Sequence, residues 1–261
     1  MKQILYIFLF LLTGLICSET ILAQDNGELP PACIPYHNLD TDWWKERHEA
    51  NKERIAQGNV DLLLIGDSIT HNWDENAGHA VKEYYYGDRN VVNLGFGGDS
   101  TGSVLWRLND LPLDKIEPKA AMLLIGTNNL WVQCRQNPED VAFATKMIVE
   151  KLESSYPNIK ILVLFNFVTG EKADSIMRPR IARNNAALLD LLRDDPHVIL
   201  KDINYLWLNE SNWIKKELMS DFAHPTEAGY WLWAEAVEPE ISKMLGDTQK
   251  LTPEENKPES L

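Results

Sequence analysis

Short unbroken apolar runs recur along the chain, separated by longer stretches in which apolar residues return every three or four positions. The first run, Leu62 to Ile65, is broken by Gly66 and followed by Asp67, Ser68 and Thr70. Continuous runs of this length mark strands buried on both faces. Others cover Asn90 to Leu94, Ala120 to Ile125, Ile161 to Phe165 and Val198 to Leu200. Asp42 can cap a helix from about Trp43 to Gln57, with Trp44, His48 and Ile55 on one face. Pro138, Glu139 and Asp140 open a helix to about Ser154, and Pro179 starts one carrying Ile181, Leu188, Leu189 and Leu192. Pro225 opens a last helix through Tyr230, Trp233, Val237 and Ile241, which Pro239 is expected to kink or split. Strands alternating with helices imply a five-stranded parallel sheet covered by helices on both faces.

The ends follow other rules. Lys2, an apolar run from Ile4 to Cys17 and the polar Ser18, Glu19 and Thr20 have the order of a secretory signal peptide, residues 1–23, with cleavage after Ala23. The run is short for a bilayer span. Lipid anchoring at Cys17 ranks second, because Ile16 occupies the place of the small residue such a site needs. Residues 24–42 read as an irregular arm, with Pro30, Pro31 and Pro35 opposing regular structure. Residues 247–261 are polar and expected to be disordered.

The net charge of −14 argues against binding nucleic acid or anionic lipid, which takes clustered Lys and Arg. Nine tryptophans leave room for aromatic surface suited to sugar or acyl recognition as well as for core. In an oxidising compartment Cys33 and Cys134 can pair and close a loop of about 100 residues, or remain free thiols; both readings stay open. The six histidines show no metal-ligand spacing, so neither metal nor other cofactor is expected.

Three runs end in small or polar residues that a parallel sheet places on one edge: Gly66-Asp67-Ser68, Gly95 to Asp99, and Gly126-Thr127-Asn128. Asp221-Phe222-Ala223-His224 precedes the last helix. A serine needs a base, which imidazole supplies near neutrality, and a carboxylate three residues earlier can reach the other ring nitrogen. Backbone amides of a glycine turn and an asparagine amide can hold an oxyanion. Each piece alone has a plain structural reading as a turn or helix-end residue. His71 and His79 read as surface or supporting residues, and Asp99 as the N-cap of the segment through Arg107. Gly95, Gly97 and Ser100 miss the third glycine of a dinucleotide fingerprint, and no phosphate-binding P-loop occurs.

GDSIT, NLGFGGD, GTNN and DFAH resemble the four blocks of the SGNH (GDSL) hydrolase family, in family order, within a similarity running from about Asp61 to Leu245. Leu105-Trp106-Arg107-Leu108 and Gly170-Glu171-Lys172 resemble the branch that holds the catalytic subunits of intracellular platelet-activating-factor acetylhydrolase. The resemblance implies a three-layer α/β/α flavodoxin-like fold over residues 43–246. It implies Ser68 as nucleophile, Asp221 and His224 as its partners, Gly98 and Asn128 in the oxyanion hole, and Asp67 in support. The GxSxG elbow of α/β-hydrolases is absent, so the scaffold differs from theirs. The chain departs from the family in its leader, its arm with Trp43-Trp44 and the Cys134 region, features that bear on substrate. The expectation is a secreted or periplasmic serine esterase that removes acetyl groups from O-acetylated carbohydrate and loses activity as His224 protonates. The alternatives are a lipid-directed esterase or lysophospholipase, and an idle glycan-binding module of the same fold. Oligomeric state is left open.

Overall fold

The computed structural model describes residues 28–75, 77–131 and 133–256; the leader read over residues 1–23, with Cys17, lies outside them. Five strands form one sheet: β1 (Leu62–Gly66), β2 (Val91–Gly95), β3 (Ala120–Leu124), β4 (Lys160–Leu164) and β5 (Val198–Lys201). All neighbours are parallel, in the order β2-β1-β3-β4-β5. The chain builds outward from β1 in both directions, so a crevice opens at the carboxyl ends of β1 and β3, where ligands bind in sheets of this order.

Side chains alternate across the sheet as strand geometry requires. Leu63 and Ile65 of β1 join a core with α1 (Asp42–Ala56), α4 (Thr101–Asp110), α6 (Pro138–Ser155) and α7 (Met177–Leu192). Leu62 and Leu64 face the opposite core, with α3 (His79–Tyr86) and α8 (Glu227–Leu245). Both faces of the sheet are therefore dry, which is why its strands read as unbroken apolar runs. Two one-turn helices, α2 (Ser68–His71) and α5 (Thr127–Leu130), sit directly at the exits of β1 and β3.

The seat of α2 explains two glycines. Gly66 and Gly95 are register partners at the ends of β1 and β2. A Cβ on Gly66 would collide with the Thr70 hydroxyl and the Leu124 carbonyl, and one on Gly95 with the backbone of Thr70 and His71. Asp67 caps the turn, its Oδ1 accepting the Ile69 N–H at 2.9 Å. Burial pushes the Asp67 carboxyl up to about 7, and its Oδ2 has no partner among the described residues.

Four expectations need correction. Pro239 does not split the last helix: α8 runs unbroken, because Tyr230, Trp233, Val237 and Ile241 hold both halves on one core and outweigh the lost hydrogen bond. The N-cap of α4 is Ser100, in a reciprocal capping box with Ser103, because Asp99 is drawn inward to Arg107. Residues 247–252 pack back on the domain. Arg89 clamps both oxygens of the buried Glu238 and reaches Asp247, the Lys250 N–H donates to Glu238, and Thr252 meets the Tyr85 hydroxyl. The tail supplies partners that the buried Glu238 requires, so it cannot be left free. The arm is also not wholly irregular: Pro31–Cys33 form a 3-10 turn whose Ala32 and Cys33 pack against Leu130, Val141 and Ile181. Cys33 and Cys134 are free thiols, the first buried and the second exposed. No helix among the described residues is long and apolar enough to cross a membrane.

The raised Asp67 carboxyl makes stability depend on pH with a definite sign. An unfolded aspartate gives up its proton near 3.9, whereas the folded one holds it to about 7. The native state thus binds the extra proton across that window, and its stabilisation is complete below pH 4 and lost as pH rises through 7. Asp67→Asn keeps the shape and removes the titration. Denaturant unfolding should show wild type losing on the order of 3 kcal/mol more than Asp67→Asn between pH 4.5 and 8; equal losses would contradict it.

Candidate active site

Ser68 opens α2 at the exit of β1, and its Oγ lies 2.8 Å from His224 Nε2. His224 stands on the loop before α8. Its Nδ1 is 2.7 Å from Asp221 Oδ2, while Asp221 Oδ1 accepts the amides of Ala223 at 3.0 Å and His224 at 2.8 Å. One carboxylate thus holds both the ring and the backbone that carries it. The bend depends on Phe222, whose φ of 62° lies in the left-handed region that bulky residues avoid. Its strain is held by two bonds: the Phe222 N–H donates to Met219, and the Phe222 carbonyl accepts the Gly170 amide. Partial burial works against a charged Asp221, but the bonds from His224 and Ala223 outweigh it and hold its carboxyl below the usual range. The ring therefore faces a carboxylate that stays ionised through neutral pH. That fixes the proton on Nδ1 and leaves Nε2 to accept from the Ser68 hydroxyl.

The exit of β2 forms the other wall. Gly98 has φ 78°, a left-handed turn that glycine adopts freely, and its amide donates to nothing among the described residues. The adjoining Asp99 is buried and gathers three elements. Its Oδ1 accepts the Trp44 indole N–H from α1 at 2.8 Å, its Oδ2 pairs with Arg107 from α4 at 2.8 Å, and its carbonyl accepts the Asn128 amide at 2.8 Å. Burial lifts the Asp99 carboxyl, and the nearby Arg107 and the Trp44 N–H oppose that shift. Arg107 Nη1 finds no acceptor among the described residues, and the guanidinium lies over Phe96, with Cζ 4.1 Å from the ring centroid. An asparagine amide carries two N–H donors. Asn128 spends one on Asp99 and keeps the second.

The structure therefore brings Ser68, His224 and Asp221 into one hydrogen-bonded chain and ties Asn128 to the Asp99 carbonyl, one residue past Gly98. Asp67 adjoins Ser68 but turns its carboxyl inward to Ile69. His71 supports the glycine turn: its Nδ1 accepts the Gly97 N–H at 3.2 Å. Burial, then Arg47, lowers its pKa, consistent with an unprotonated acceptor nitrogen. His79 merely opens α3. Trp44, Arg107 and Phe222 were not legible as site residues: Trp44 meets Asp99 from 55 residues away, Arg107 pairs with it only once both are buried, and Phe222 depends on a single backbone angle. A cavity of about 700 Å³ opens at the opposite edge of the sheet, lined by Tyr156, His197 and Lys243, and includes none of these groups.

Known proteins share sequence and fold with this chain. Subunit alpha2 of platelet-activating factor acetylhydrolase IB from Rattus norvegicus is 30% identical over 228 residues, covering 86% of this chain and 96% of that protein. The Gallus gallus counterpart is 28% identical over the same span. Among solved structures, a GDSL-like lipase from Bacteroides thetaiotaomicron superposes with a TM-score of 0.62 at 15% identity, covering 76% of this chain and 97% of that one. An acetylxylan esterase from Geobacillus stearothermophilus gives 0.56 at 17% identity, over 73% and 96%. The sequence profile of the GDSL-like lipase/acylhydrolase family matches residues 64–232, a span that encloses Ser68, Gly98, Asn128, Asp221 and His224. This chain is a member of the GDSL-like lipase/acylhydrolase family and a carboxylic ester hydrolase.

Proposed function

We propose that the protein is a secreted serine esterase that removes acetyl groups from O-acetylated carbohydrate through an acyl-serine intermediate, with residues 43–246 as the catalytic unit and no cofactor. The observation that carries the chemistry is the chain Ser68 Oγ–His224 Nε2, His224 Nδ1–Asp221, at 2.8 and 2.7 Å. His224 takes the Ser68 proton as the hydroxyl attacks the ester carbonyl, and Asp221 stabilises the imidazolium. The oxyanion meets the amides of Ser68 and Gly98 and the second N–H of Asn128. His224 then protonates the leaving alcohol, and water releases acetate by the same steps in reverse roles.

The leader read from the sequence supports secretion. Carbohydrate is favoured by exposed tryptophans, Trp43 and Trp213 among them, and by a net charge of −14, which is unfavourable for an anionic membrane surface. Lipid esters are the second reading, favoured by relatives named for platelet-activating factor acetylhydrolase activity.

Ser68→Ala should lower kcat on p-nitrophenyl acetate by about ten-thousand-fold or more and abolish labelling by a fluorophosphonate probe. Retained turnover would remove Ser68 from the chemistry, and an unlabelled wild type would favour an idle binding module. Asn128→Ala should lower kcat by roughly 100-fold to 1,000-fold with little change in KM; an unaltered kcat would exclude it as an oxyanion donor. Acetyl esters should be turned over faster than octanoyl esters, and dominant octanoyl turnover would decide for the lipid reading.

A further inference from the structure

The pair Trp43-Trp44 at the start of α1 is split between two environments. Trp44 is buried and donates to Asp99, whereas Trp43 is 44% exposed. Trp43 stacks on His71, with centroids 5.9 Å apart and planes at 20°, and lies tilted against Phe96. Its Cη2 comes within 3.7 Å of where a Cβ on Gly97 would stand, one residue before the Gly98 amide. The indole is therefore fixed against the turn carrying the Gly98 donor. One of its faces rests on the His71 imidazole, and 44% of the residue stays open to water.

We propose that Trp43 is the stacking platform for a pyranose ring of the substrate, a specificity-determining residue of the acetyl-ester site; this rests on the carbohydrate reading above. The C–H bonds on one face of a pyranose carry partial positive charge and meet the negative face of an indole. An ester carbonyl bound at Gly98 brings its sugar ring to the neighbourhood of Gly97, where this face stands. Glu75, 60% exposed and 3.6 Å from His71 Nε2, places a carboxylate next to the platform, where ring hydroxyls can donate to it. An alkyl chain makes no use of that carboxylate; a hydroxylated ring can use both the flat apolar face and the charged rim.

The test uses the full chain and acetylated xylooligosaccharide as the probe. By calorimetry with Ser68→Ala as the non-hydrolysing background, adding Trp43→Ala should weaken binding about five- to tenfold, the scale of a lost aromatic contact, while Trp43→Phe restores most of it. In the active enzyme the loss on that substrate should fall on KM rather than kcat and exceed any loss on p-nitrophenyl acetate. Phe143→Ala, an exposed aromatic on α6, controls for general surface effects and should change neither. An equal loss on both substrates would make Trp43 a support of the glycine turn and overturn the proposal, as would no loss on either. A wild type that hydrolyses p-nitrophenyl acetate but neither binds nor deacetylates the oligosaccharide would refute the carbohydrate reading itself, and the platform with it. Unfolding midpoints of each variant separate these outcomes from misfolding.

Discussion

The buried pair of Asp99 and Arg107 is the constraint on which one half of the site depends. Both side chains are fully removed from water, and such pairs seldom repay their desolvation in stability. What this one secures is position. Through one carboxylate and its own carbonyl, Asp99 holds Trp44 of α1, Arg107 of α4 and Asn128 of α5 against the turn that presents Gly98. Three elements are thereby locked to one residue, which restrains the Gly98 turn next to it. Oxyanion donors are effective only when fixed before charge develops, because reorienting them during the reaction would raise the barrier they are meant to lower.

The other half is built by a different device. Asp221 and His224 occupy a half-exposed loop without a buried ion beneath it, and their geometry rests on the left-handed Phe222 and the two bonds that restrain it. Strain of this kind typically costs about 1–3 kcal/mol and survives only where neighbouring contacts over-determine it. The amides of Ala223 and His224 both donate to Asp221, so the carboxylate orders its own loop as well as the imidazole. Exposure has a chemical use here. In the proposed mechanism water must reach an acyl-serine, and a histidine open to solvent on one side can activate it.

How much of this was legible in the sequence follows from the range of the forces involved. Strands β1 to β5 are local signals: a strand buried on both faces must be continuously apolar, and each run declared itself. The proposed catalytic residues sit at strand exits or helix starts, so their places on one edge of the sheet followed from alternation alone, and the family resemblance supplied their expected roles. Long-range pairings were illegible. Asp99 looked like a helix cap because nothing nearby shows that Arg107 and Trp44 would draw it inward. The tail from Asp247 looked disordered because its polarity carries no mark of the buried Arg89 and Glu238 that need it. Pro239 looked like a breaker because propensity cannot weigh the core on which α8 lies.

Three carboxyls belong to the candidate site around Ser68, and their environments drive them to different states. Asp221 is ionised by three hydrogen bonds within its own loop and faces the imidazole directly. Asp99 is paired with a guanidinium and presents only its carbonyl toward the site. Asp67, next in chain to the proposed nucleophile, is wholly buried, and that burial outweighs the Ile69 N–H and the nearby His224 and carries it to about 7. Had Asp67 been as acidic as Asp221, a second unbalanced negative charge would lie beneath the serine, repelling the oxyanion as it forms. A carboxyl held mostly protonated at slightly acid pH lessens that repulsion while still capping α2. Separating the states of neighbouring acids by environment is how one small region supplies an anionic partner for the histidine and a nearly neutral floor for the oxyanion.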